Sequence, residues 1–194
     1  MIDATGVILV GGQSTRMGFN KAFIEVNGLP IIERTVALFN EIFDEVIIAA
    51  NDVETYCGLD AMIVTDVYKG AATLGGIYTG LFHSQTPYTF VVACDMPFLD
   101  ARAIKRTLEL SGGDGTAPFI NNKLHAMHAV YSRRCLKKIE GMITTGNLRV
   151  SDLFPMICTK RLVEADFAGI PIVSSIENVN TPEELSRIRA NEDK

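Results

Sequence analysis

The 194 residues contain no tryptophan and only three histidines, and their four cysteines, Cys57, Cys94, Cys135 and Cys158, form no C-x-x-C pair. Neither a zinc ribbon nor a thioredoxin-like motif is therefore present, and reduced thiols in a cytoplasmic protein are the expectation. Positive charge is in deficit: 18 Lys and Arg face 23 Asp and Glu, a formal net charge of −5. Duplex binding by simple electrostatics needs clustered cations, so no nucleic-acid partner is expected and any phosphate chemistry must use a local site. No apolar run approaches the ~18 residues that span a bilayer, and Met1-Ile2-Asp3-Ala4 lacks the positive start of an export signal, so no membrane association is expected. Repeats, low-complexity stretches and linkers are also missing. What is present is 47% hydrophobic residues in a chain of ordinary domain length, enough to fill one core, and a single domain over 1–194 is expected.

Short β-branched runs alternate with helix-length amphipathic segments. Val7-Ile8-Leu9-Val10, Val46-Ile47-Ile48-Ala49-Ala50 and Phe90-Val91-Val92-Ala93 are apolar at consecutive positions, as parallel strands covered on both faces require. A three-layer α/β/α sandwich with a mostly parallel, Rossmann-like sheet is the expected fold. Pro30 is expected to open the first long helix, with Ile31, Ile32, Thr35, Leu38 and Phe39 on one face, and Asp100 to cap a later one. His125–Tyr131 alternates like a half-exposed strand, which would point His125 and His128 to opposite faces and exclude a shared metal. His125 could still border a substrate. Thr181-Pro182-Glu183-Glu184 has the form of a capped helix start.

The most informative stretch follows the first strand and runs Leu9-Val10-Gly11-Gly12-Gln13-Ser14-Thr15-Arg16-Met17-Gly18-Phe19-Asn20-Lys21. Glycines let backbone N–H groups approach anionic oxygens beyond a strand's carboxyl end, and Arg16 and Lys21 add two cations, a combination suited to a polyphosphate. The loop fits neither a Walker A motif, nor G-x-G-x-x-G, nor G-x-S-x-G. The competing reading is a connection whose basic groups are merely solvated.

Asp95, in Cys94-Asp95-Met96-Pro97, follows a buried strand, where a carboxylate can hold Mg²⁺ that bridges nucleotide phosphates; capping the next turn is its other natural role. Asp66 stands at a comparable strand end. So does Asn51, whose amide could serve a base edge or ribose or close an Asx-turn.

Taken together, these residues resemble the molybdenum cofactor guanylyltransferase (MobA) family, nucleotidyltransferases with a glycine-rich first loop. The likeness runs nearly the whole length, through Leu9-Val10-Gly11-Gly12, Ser14, Arg16-Met17-Gly18, Lys21, Asn51, Asp66, Thr73-Leu74-Gly75-Gly76, Cys94-Asp95-Met96-Pro97 and Asn178-Val179-Asn180-Thr181-Pro182. The resemblance implies transfer of GMP from Mg-GTP to the terminal phosphate of molybdenum-bearing molybdopterin. It implies a GTP-binding half over about 1–110 and an acceptor half over about 111–194. Leu9, Val10, Gly11, Gly12, Lys21, Asn51, Asp66 and Asp95 would bind GTP, Asp95 would hold Mg²⁺, and Arg16 and Lys21 would act with it in catalysis. Arg149 and Asn180 would contact the acceptor, although a surface arginine and a turn-forming asparagine explain them as well. Cofactor-insertion proteins and molybdoenzymes would be transient partners.

Three departures from the family pattern stand out. Val10 replaces the usual Ala, Asn20 replaces the usual Asp before the lysine, and Ala72-Thr73-Leu74-Gly75-Gly76 replaces Gly-Pro-Leu-Ala-Gly, so a looser second glycine turn is expected. Within this resemblance Gly11-Gly12 favours guanine over cytosine. A cytidylyl or sugar-phosphate nucleotidyltransferase and a nonenzymatic molybdopterin carrier are the alternatives.

Overall fold

The computed structural model of the protein describes residues 3–11, 20–26 and 28–179. The chain runs β1 (Ala4–Val10), β2 (Glu25–Val26), β3 (Leu29–Pro30), α1 (Ile31–Asn40), β4 (Val46–Ala50), β5 (Met62–Val64), α2 (Ala72–His83), β6 (Tyr88–Ala93) and α3 (Ala101–Glu109). It continues through β7 (Gly115–Ile120), β8 (Lys123–Leu124), β9 (His128–Ser132), α4 (Leu136–Thr144), β10 (Thr159–Leu162) and α5 (Ile172–Ser175), with 3-10 turns between.

The main sheet has the order β10-β7-β9-β6-β1-β4-β5, with β8 paired to β7. β4 and β6 flank β1, both parallel to it, and β5 extends the parallel set beyond β4. β9 runs antiparallel between β6 and β7. The chain thus leaves β1 towards β4 and β5 and then returns to β6 on the other side. That reversal opens a crevice at the carboxyl ends of β1 and β6, the place where open α/β sheets bind ligands.

Successive strand residues feed two separate cores, which is why the strands read as unbroken apolar runs. Ile8, Val10, Ile48, Phe90 and Val92 pack with Ile32, Val36 and Phe39 of α1 and Ile104 and Leu108 of α3. Val7, Leu9, Ile47, Ala49 and Val91 face Leu74, Ile77 and Leu81 of α2 and Ile139 and Met142 of α4. The result is the expected three-layer sandwich. Each fully buried side chain such as Ile8 or Phe90 contributes on the order of 1.5–3 kcal/mol by leaving water.

Asp100 caps α3 as expected, its Oδ1 accepting from Arg102 N at 2.8 Å and Ala103 N at 3.3 Å. Pro30 stands one residue outside α1 as its N-cap, with φ −56° and ψ 139°, and pairs with Glu25 in the small β2–β3 ribbon. The histidine strand is shorter than the alternation suggests: His125 lies in a turn, closed by His128 N donating to His125 O at 3.1 Å, and β9 starts at His128. Gly75-Gly76 belongs to no turn but to α2. A Cβ on Gly80 would lie 2.6 Å from Val7 Cγ1 and one on Gly76 3.2 Å from Leu9 Cδ2, so these glycines let α2 lie close against β1. The helix start at Thr181 lies outside the described residues.

Candidate active site

The first loop leaves β1 at the crevice. Leu9 packs into the α2 face and Val10 into the α1 face, each 6% exposed, and the Leu9 carbonyl accepts from Cys94 N at 3.1 Å. A ligand would therefore meet backbone rather than side chains at these two positions. No described heavy atom lies within 4 Å of where a Gly11 Cβ would be, so no described side chain crowds the backbone there. Gly12 and Arg16 lie outside the described residues.

Lys21 opens the 3-10 turn Lys21–Phe23, which the preceding residue caps: Asn20 Oδ1 accepts from Ala22 N at 3.1 Å, and Ala22 is fully buried. Asn20 Nδ2 donates to Tyr56 Oη at 2.7 Å. The departure from Asp at position 20 thus leaves a capping residue whose partners are Ala22 and Tyr56. The turn directs Lys21 Nζ to within 3.8 Å of Asp95 Oδ2.

Asp95 sits two residues beyond β6, with its side chain 18% exposed. Its Oδ1 is buried without a hydrogen-bond partner among the described residues. Burial raises the carboxyl above its ordinary range and the Lys21 ammonium pulls it partly back. Cys94, beside it, is pushed up to about 12 by burial and by the Asp95 charge, so its thiol stays protonated and is no nucleophile at neutral pH.

Further along the same sheet edge, Asn51 directly follows β4 and Asp66 lies two residues beyond β5. The structure joins them: Asn51 Nδ2 donates to Asp66 Oδ2 at 2.9 Å. With the amide so oriented, Asn51 Oδ1 is an acceptor for a ligand, and the Asp66 carboxylate retains further acceptor capacity.

The acceptor candidates are more scattered. Arg149 is exposed in the loop after α4, where its backbone N–H donates to Asn147 Oδ1 at 3.2 Å. No described contact joins it to Asp95 or Lys21. Asn180 lies outside the described residues, but the chain just before it is anchored at the site, because Val179 N donates to the Asp95 carbonyl at 2.8 Å. His125 is half-buried and burial lowers its basicity.

Among the described residues no group of three or more His, Cys, Asp or Glu could cage a metal. Asp95 nevertheless fits magnesium. It is a desolvated carboxylate with an oxygen that lacks a donor among the described residues, and Mg²⁺ is commonly held by one or two carboxylates completed by substrate phosphates. Polarity converges on a single edge: open backbone, a lysine, an underpartnered carboxylate and an amide–carboxylate pair can together hold a nucleotide and balance charge on its phosphates.

Sequence reading did not single out Tyr56. It stands alone six residues past the end of β4, within no motif, and its bond to Asn20 spans 36 positions of the chain.

Residues 6–154 match the MobA-like NTP transferase domain. The chain belongs to the MobA-like NTP transferase family. Among its relatives, the protein of Desulfosudis oleivorans named molybdenum cofactor guanylyltransferase is 34% identical over 197 residues, covering 98% of this chain and 96% of the relative. The fold recurs in the molybdopterin-guanine dinucleotide biosynthesis protein A of Archaeoglobus fulgidus, with TM-score 0.84, 22% identity and 97% and 98% of the two chains covered. It recurs also in the 2-C-methyl-D-erythritol 4-phosphate cytidylyltransferase of Thermus thermophilus, with TM-score 0.70, 16% identity and the same coverage. These two likenesses show a shared fold. Among the described residues no helix is long and apolar enough to cross a membrane.

Proposed function

We propose that this MobA-like chain transfers GMP from GTP to the terminal phosphate of molybdenum-bearing molybdopterin, giving the guanine dinucleotide cofactor and pyrophosphate. The observation that carries the reading is the approach of Lys21 to an underpartnered Asp95 at the strand switch, within a chain so similar to a molybdenum cofactor guanylyltransferase.

An acceptor phosphate oxygen forms a bond to the α-phosphorus of GTP. The bond from that phosphorus to the α,β-bridging oxygen breaks, and its electron pair leaves with pyrophosphate. A phosphate monoester has a second pKa of about 6, so the nucleophile is already ionised near neutral pH and needs no base. This agrees with the buried His128 and the half-buried His125, since burial lowers the basicity of both. The chain supplies position and charge instead. Gly11, with Gly12, admits the phosphates to the backbone, Lys21 and Arg16 stabilise the charge that gathers on the leaving pyrophosphate, and Asn51 with Asp66 holds the base or ribose. Magnesium, when held by Asp95 and the nucleotide's own oxygens, supplies charge neutralisation at the triphosphate. Arg149 and Asn180 serve the acceptor, and the protein works in the cytoplasm, where cofactor-insertion proteins and molybdoenzymes would receive the product.

Pyrophosphate release measured in parallel with GTP and CTP, using molybdenum-loaded molybdopterin, tests the reading. Turnover with GTP is expected. Preference for CTP overturns the base assignment, and full activity of Asp95→Asn removes that carboxylate from the site.

A further inference from the structure

A three-residue 3-10 turn has too few hydrogen bonds to hold itself, yet Lys21–Phe23 must present an ammonium on a flexible four-carbon stem at one place. Among the described residues, three contacts beyond the turn's own backbone bonds help to fix it. Ala22 plugs the core, Asn20 caps the start, and Phe23 stacks at the end on the Tyr56 ring, with centroids 5.7 Å apart and planes 20° from parallel. Two of the three run through Tyr56, whose hydroxyl meets the residue before Lys21 while its ring meets the residue two beyond it.

The polarity of this arrangement is determined. Asn20 Oδ1 must accept from Ala22 N, so Nδ2 is the edge that faces Tyr56, and the phenol oxygen is the acceptor. Nor does Tyr56 behave as an ordinary core tyrosine. The fully buried Tyr131 turns its hydroxyl to a backbone carbonyl, Ala126 O, at 2.8 Å. Tyr56, only 5% exposed, instead directs hydroxyl and ring to a surface turn whose Phe23 is 39% exposed. Its segment follows Asn51 from the end of β4, so one stretch of chain carries a ribose or base contact and grips the lysine turn.

We propose that Tyr56 is a positioning residue for Lys21, clamping both ends of the Lys21–Phe23 turn so that the ammonium is held beside Asp95 at the triphosphate. The inference rests on the catalytic reading of Lys21 given above. Tyr56→Phe removes the hydroxyl and keeps the stack; Phe23→Leu removes the stack and keeps the hydroxyl bond.

Steady-state pyrophosphate release with GTP and loaded molybdopterin, together with thermal melting, should be measured for wild type, both variants, Lys21→Ala, and Tyr56→Phe combined with Lys21→Ala. Each single clamp variant is expected to lower kcat about three- to tenfold, the range of one ordinary hydrogen bond, with KM for GTP and the melting temperature little changed. In the Lys21→Ala background, Tyr56→Phe is expected to cause no further loss. An equal loss in both backgrounds, or a loss that follows the melting temperature, overturns the clamp while leaving the site reading intact. Full activity of Lys21→Ala overturns the site reading itself and the clamp with it.

Discussion

Acidification should destabilise this protein through one buried histidine. His128, at the start of β9, is fully buried, with its ring edge-on to Phe90 at 5.0 Å between centroids. Ser175 Oγ accepts from Asp100 N at 3.0 Å and lies 3.2 Å from His128 Nε2. The serine hydroxyl can donate to Nε2 or accept from it, according to the ring's tautomer, and Nδ1 has no partner among the described residues. Protonating the ring would place a charge in the core, where burial disfavours it. Burial accordingly drives the ring from 6.5 to about 4, with the nearby His125 acting in the same direction. Between those values the unfolded chain binds the extra proton and the folded chain does not, so the contribution is fully present above pH 6.5 and is lost as pH falls towards 4. A shift of this size corresponds to about 3 kcal/mol at most, and about 2–3 kcal/mol of it should be lost by about pH 4.5. Urea unfolding of wild type and His128→Leu across about pH 4.5–7.5 measures it, the difference in pH slope isolating the histidine from the carboxylates. Parallel profiles of the two proteins would refute the reasoning.

Three further perturbations test packing and site. Asp95→Asn should reduce kcat about 10²–10³-fold, the effect of removing one preorganised charge partner. Because burial raises the Asp95 pKa, its contribution to stability is present below the unfolded value of 3.8 and lost as pH rises through the folded one; at neutral pH the ionised form is a burden. The same variant should therefore melt no lower than wild type without magnesium, and a clear fall in melting temperature counts against that electrostatic balance. Ala72 opens α2 at φ +49°, a left-handed conformation unfavourable for a residue with a Cβ, so Ala72→Gly should raise unfolding free energy by about 0.5–1 kcal/mol in urea titrations, and a loss would show the strain is not there. Gly80→Ala should destabilise by about 1–3 kcal/mol despite alanine's better helix propensity, because the new methyl would lie 2.6 Å from Val7 Cγ1; a stabilised variant would mean α2 can move off the sheet.

The central strands are legible because burial on both faces removes alternation, and the apolar run Phe90-Val91-Val92-Ala93, which falls within β6, shows how directly that physics is written into composition. Asp95 is legible for a related reason: a strand rich in valine must stop somewhere, and a carboxylate at its end occupies the ligand edge of a parallel sheet. The glycines of α2 are deceptive. Gly75 and Gly76 resemble a turn in sequence, since glycine is a poor helix former, and only the approach of Leu9 to Gly76 and of Val7 to Gly80 shows that missing side chains are required for packing. His125 and His128 mislead in a similar way, because a turn closed by their own backbone produces the same apparent alternation as a strand.

The second half of the chain connects to the site through bonds that leave little trace in residue type. Val179 reaches Asp95 through backbone N–H and carbonyl, which almost any residue could supply. Ser175, four residues earlier, meets the Asp100 N–H and His128 with one hydroxyl, joining α5, the start of α3 and β9. Asp95 therefore lies between two anchors of the same C-terminal segment: its own carbonyl, bonded to Val179, and Asp100 five residues on, bonded to Ser175. Moving that segment must move the carboxylate, or break one of these bonds at a buried position where an unmade hydrogen bond costs about 1–3 kcal/mol. That coupling links the half of the chain from which an acceptor would be bound to the carboxylate that would hold the metal. It runs through backbone groups and one serine, with no charged residue needed to carry it.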